Sequence, residues 1–166
     1  MLGASNLASE FHYVYSCDLE ENLEIKVCTL EGNLPKLNYE QLLENPLLQF
    51  SGRKQSKVPD LLVEVVVVHE EKDGQKTHLH LPVSSSYKCF QKRWEWNEWL
   101  KLPLKYSDLP RNASLFITIY DCVGGKRQKL ANGEIPLFGK KGIYREGQID
   151  LQLMTNKDEN SNCPGT

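Results

Sequence analysis

Residues 61–69, LLVEVVVVH, constrain this chain more than any other stretch. The run is dominated by valine, whose branched β-carbon is stiff in a helix and well suited to a pleated sheet. It is interrupted by Glu64 and falls far short of the ~20 residues a membrane-spanning helix needs. A strand is therefore expected. Residues 70–76 (EEKDGQK) follow, with the Asp73-Gly74 pair suited to the positive φ angles of a tight turn, and THLHLPV resumes the apolar pattern. The two runs together predict a β-hairpin.

The rest of the chain repeats this punctuation. Leu23, Ile25 and Val27 alternate with Glu24, Lys26 and Cys28, the mark of a half-buried strand. Residues 94–102 form a further strand with Trp94 and Trp96 on one face, and the pattern shifts near Trp99-Leu100, where a bulge is expected. Residues 114–121 (SLFITIYD) alternate plainly, with Leu115, Ile117 and Ile119 inward. Shorter runs at 134–138 and 149–153 follow Gly-containing turns. One short helix is predicted over 39–45, capped by Asn38 and stopped by Pro46. Short strands separated by turns imply an all-β, antiparallel sandwich rather than βαβ units.

Composition fits one such domain. The chain has 166 residues, 40% of them apolar and 25% charged, which suits a single packed core. Twenty basic residues against twenty-two acidic ones leave a net charge of −2, and a nucleic-acid binder normally carries a large positive excess. The first ten residues, MLGASNLASE, have neither the basic start nor the apolar stretch of a signal peptide. Five widely spaced cysteines (Cys17, Cys28, Cys89, Cys122 and Cys163) without a CxxC motif predict buried or neutral free thiols in a reducing, cytoplasmic setting. The glycosylation sequon at Asn112-Ala113-Ser114 carries little weight without a secretory signal. The last dozen residues are polar and without periodicity.

Catalytic signatures are missing from the sequence. Gly124-Gly125-Lys126 is not a phosphate loop, since it lacks the GxxxxGK[ST] spacing and no long helix follows. There is no DFG, HRD or GxSxG motif. His78 and His80 share a strand face in this reading and His69 lies across the hairpin, so three imidazoles could meet a zinc ion, although a polar outer face explains them as well. Cys89 has basic neighbours in Lys88, Lys92 and Arg93 but no evident base, and reads as a packed thiol. Asp73 and Asp121 end strands as calcium ligands do, but the residues after Asp121 are basic and would repel the ion. That basic segment, Lys126, Arg127 and Lys129, together with Lys140 and Lys141, is the candidate contact for anionic lipid.

The densest feature is the tryptophan run 93–100, which holds all three tryptophans of the protein. Core packing is its expected role, with Trp99 and the flanking charges as a candidate interface. Trp94, Trp96, Asn97, Glu98 and Trp99, followed by Leu102-Pro103 and by Asp108, Leu109, Pro110 and Arg111, resemble the signature of the phosphatidylinositol 3-kinase C2 domain. Further blocks (residues 11–19, 29–32, 42–46, 50–52, 81–83 with 86–88, and 137–142) are similar to the class III catalytic subunits in particular.

That resemblance implies an eight-stranded C2 sandwich over residues 11–154, between an N-terminal tail (1–10) and a polar tail or the start of an insertion (155–166). The family pattern continues with a helical insertion, a last C2 strand, a helical domain and a kinase domain. If that last strand is missing from a chain ending at Thr166, a sheet edge is expected to be left open. It also implies a parent enzyme that phosphorylates the 3-hydroxyl of phosphatidylinositol with ATP and a divalent metal. That parent acts in autophagy and endosomal sorting, at endosomal and autophagosomal membranes, with a pseudokinase-like regulatory subunit and a Beclin-type subunit. For this chain itself the expectation is a scaffold with no catalytic residue, cofactor or metal of its own.

Overall fold

The computed structural model describes residues 14–32, 43–44, 61–71, 73–86, 93–123 and 126–155. Eight strands lie within them: β1 (Asn22–Leu30), β2 (Leu61–Glu70), β3 (Lys76–His78), β4 (Val83–Ser84), β5 (Trp94–Lys105), β6 (Ala113–Val123), β7 (Lys126–Pro136) and β8 (Met154–Thr155). They form two sheets with every pairing antiparallel: β1 with β5, and β3-β2-β6-β7-β8 with β4 also on β2. The all-β sandwich is thus as expected. Of the predicted helix only Leu43 and Glu44 lie in the described residues, and both are helical.

The core lies between the sheets. Leu61, Val63, Val65 and Val67 of β2, Leu115 and Ile119 of β6 and Leu130 of β7 form one cluster with Leu23 of β1 and with Trp96, Leu100 and Leu102 of β5. Leu62, Val66 and Val68, on the other face of β2, are buried too. That two-sided burial is why this strand reads as a near-continuous apolar run, broken only at Glu64, rather than an alternating one.

The predicted hairpin forms: His69 pairs with Thr77 and Glu70 with Lys76, Glu71 and Gln75 close the turn, and Gly74 sits at φ +81°. β3 and β4 then share one edge of β2 in succession. At the gap between them His80 enters the ladder, its Nε2 accepting the Val67 N–H at 3.0 Å while the Leu79 N–H donates to the Val67 carbonyl.

Three expectations shift. The bulge in β5 lies at Trp96-Asn97, opposite Cys28, not at Trp99-Leu100: Thr29 pairs with Glu95 but Val27 with Glu98, and Asn97 takes φ +49°. An asparagine tolerates that left-handed geometry better than most residues. Of the run expected at 134–138, residues 134–136 are the end of a strand that starts at Lys126, so Lys126, Arg127 and Lys129 lie in a strand. Residues 149–153 are not strand, and the short β8 follows them. Cys17, Cys28 and Cys122 are free thiols, the first two exposed and the third half-buried, while Cys89 and Cys163 lie outside the described residues.

Candidate interaction site

The signature residues divide between the core and the surface along β5. Trp96 is buried in the core and Trp94 packs against it, whereas Trp99 is 63% exposed. On the outer face of the β1–β5 sheet Lys26 lies opposite Trp99, its Nζ 6.0 Å from the ring centroid, and Lys101 approaches Glu24 at 3.9 Å. Glu98 ties the two sheets together: it accepts the Ser86 N–H at 2.9 Å and the Ser86 hydroxyl at 2.7 Å, just past β4. Asn97 donates to Glu95 across the bulge.

After β5 the chain makes a 3-10 turn at Tyr106–Asp108, and Leu109 returns to the core. The Pro110 carbonyl accepts the Ala113 N–H, so Arg111 stands exposed at the entry to β6. Asp108 is also exposed.

Arg111 meets a second hairpin. Beyond β7, Phe138 bridges to Tyr144, and the Arg145 N–H donates to the Leu137 carbonyl. Between them residues 139–142 close a tight turn through Gly142 N–H to Gly139 O at 2.8 Å, with Lys140 and Lys141 at its corners. Gly142 is at φ +78°, and a Cβ there would come within 3.2 Å of the Arg111 guanidinium. Tyr144 faces inward, edge-on to Tyr106 at 5.3 Å and to Phe138 at 5.8 Å. Burial, and then the neighbouring Tyr106, push the Tyr144 phenol above its ordinary range.

The five residues expected to contact lipid do not form one site. The pairing Val123–Lys126 lies at one end of β6 and Ser114–Pro136 at the other, nine residues and roughly 30 Å away. Lys126, Arg127 and Lys129 therefore occupy the end of the sheet opposite the Lys140-Lys141 turn. Arg127 reaches Glu64 at 3.4 Å, and Glu64 also accepts the Tyr120 hydroxyl. Lys129 is half-buried.

The metal readings fare worse. His69 lies on the inner face of β2 with Thr77 beside it, while His78 pairs with Val68 on the outer face, so these two imidazoles point apart. His80 uses both nitrogens, Nε2 for Val67 and Nδ1–H for the Leu81 carbonyl at 2.6 Å. Asp73 and Asp121 stand at opposite ends of β2 and cannot share an ion. An open depression beside β1, lined by Glu20, Glu21, Asn22, Glu24, Lys101 and Tyr106, is too acidic to attract a phosphate.

Residues 57–165 match the family model described as Phosphoinositide 3-kinase C2. This chain belongs to the phosphoinositide 3-kinase C2 family. It is 34% identical over 155 residues to the phosphatidylinositol 3-kinase catalytic subunit type 3 of Caenorhabditis elegans, covering 86% of this chain and 16% of that protein. It is 30% identical over 129 residues to the phosphatidylinositol 3-kinase VPS34 of Saccharomyces cerevisiae (78% of this chain, 14% of that protein). It is 28% identical over 158 residues to the enzyme of that name from Arabidopsis thaliana (95% and 18%). The C2 chain thus spans about one sixth of the length of these relatives, and what it shares with them is their C2 region rather than a catalytic domain.

Ile143 and Arg145, exposed on this C2 domain's second hairpin, were not picked out by sequence reasoning. A signal was present: glycines three apart around Lys140-Lys141 mark a tight turn, and turn flanks are where apolar side chains end up in solvent.

Proposed function

We propose that this C2 domain is the assembly region of a class III phosphatidylinositol 3-kinase. The whole enzyme would phosphorylate the 3-hydroxyl of phosphatidylinositol, using ATP and a divalent metal bound in its kinase domain, in autophagy and endosomal trafficking. The C2 domain itself contributes contact surface to a pseudokinase-like regulatory subunit and a Beclin-type subunit at endosomal and autophagosomal membranes. The exposed Trp99 carries this reading: a tryptophan on a sheet face, beside Lys26 and within the family signature, is the kind of residue that anchors a protein interface. The test is capture of those two subunits by the folded chain and by its Trp99→Ala variant. Capture lost in the variant supports the reading, and no capture by the wild type counts against it.

A second reading, a peripheral membrane module that meets anionic phospholipid through basic residues without calcium, is favoured by Lys140 and Lys141. Among the described residues, neither makes an ion pair. Salt-sensitive flotation with anionic vesicles in the presence of a calcium chelator tests it.

A further inference from the structure

The second hairpin brings together features that the basic residues alone do not reveal. Tyr144 turns inward onto Phe138 and Tyr106, and alternation along an extended segment sends its neighbours Ile143 and Arg145 outward. Ile143 is 68% exposed. Around it stand Lys140 and Lys141 at the turn, Arg145 on the return and Arg111 laid against Gly142. Among the described residues none of these four cations has an ion-pair partner, unlike Arg127 with Glu64 or Lys76 with Glu134.

Unpaired charge around a solvent-exposed isoleucine needs a partner that is anionic and apolar within a few ångströms. A bilayer surface has both layers in that order: phosphates outside, acyl chains beneath. A protein partner fits less well. The hairpin end is a projecting turn rather than a groove, and lysine is depleted from the centres of protein interfaces. Long lysine and arginine side chains, by contrast, keep their charges at headgroup level while a neighbouring apolar group sinks below. The hairpin is also pre-formed, since the aromatic trio and the 2.8 Å turn bond fix its shape before contact.

We propose that the hairpin 137–145 is a calcium-independent membrane-docking tip, in which Ile143 enters the acyl boundary of an anionic bilayer while Arg111, Lys140, Lys141 and Arg145 contact lipid phosphates. This rests on the membrane reading above and gives that reading a site. It takes Lys126, Arg127 and Lys129, at the far end of the sheet, out of that contact. Glu71 and Asp73 close the neighbouring β2–β3 turn, so docking tilts the domain toward the 137–145 hairpin and away from them.

The test is vesicle flotation of the 166-residue chain in a chelator, with phosphatidylcholine vesicles and with phosphatidylcholine–phosphatidylserine vesicles. Melting curves confirm that each variant is folded. Wild type is expected on the anionic vesicles only, and less at high salt. Each basic group is worth about fivefold in affinity at such a surface, so Lys140→Gln with Lys141→Gln should weaken binding roughly 30-fold. Ile143→Ser should cost about tenfold, a loss that neutralising charge elsewhere would not reproduce. Arg127→Gln should change binding less than twofold. If wild type floats with neither vesicle, the membrane reading falls and the tip with it. If wild type floats on anionic vesicles and both hairpin variants float equally well, the tip is overturned and the membrane reading stands.

Discussion

The backbone N–H of Val67 donates to Nε2 of His80 at 3.0 Å, so an imidazole stands where a neighbouring strand would offer a carbonyl. Because Nε2 accepts, the ring proton sits on Nδ1, which donates to the carbonyl of Leu81. The ring thereby bridges the break between β3 and β4 along β2, an interior strand of the larger sheet. Removing it leaves a partly buried N–H without an acceptor. His80→Ala should lower stability by about 1–3 kcal/mol in urea unfolding, whereas His78→Ala, at an exposed position, should lie within about 0.5 kcal/mol of wild type.

The tryptophans separate folding from binding. Trp96→Ala removes the largest side chain of the inter-sheet cluster and should cost about 3–5 kcal/mol. Trp99→Ala should alter stability by no more than about 0.5 kcal/mol, because that ring is mostly in solvent. If Trp99 anchors a partner, its variant melts like wild type yet fails in subunit capture.

Tyr144 predicts an alkaline limit. Its phenol is held above the ordinary value by burial first and by Tyr106 second, while the unfolded chain titrates near pH 10. Above that pH the unfolded state sheds a proton the folded state retains, so ionisation favours unfolding. Stability is present in full below about pH 10 and falls as pH rises past it. Melting temperatures from pH 8 to 11 should drop for wild type, and less steeply for Tyr144→Phe.

Gly133 is small for a reason outside its own strand. A Cβ there would stand 2.7 Å from Cδ2 of Leu151 and 2.9 Å from Cδ2 of Leu153, the segment leading into β8. Gly133→Val should therefore displace that segment at a cost of about 1–3 kcal/mol. Hydrogen exchange at Met154 and Thr155 should accelerate while exchange along β2 is unchanged.

Much of this protein was legible in its residues. The valine run, the Asp73-Gly74 turn and the alternation in β1 and β6 each state a strand or turn through local sterics and period, and those hold in the structure. The ordered blocks from Trp94 to Arg111 carried the resemblance to the family, and the family match over residues 57–165 bears it out. Tertiary structure alone decided what depends on register between distant segments. It set the bulge at Asn97 against Cys28, put His69 and His78 on opposite faces, and extended β7 back to Lys126. Five basic residues look like one set in a linear sequence. An antiparallel hairpin of eleven-residue strands carries its ends roughly 30 Å apart, and only that pairing shows that three of them belong to one end and two to the other.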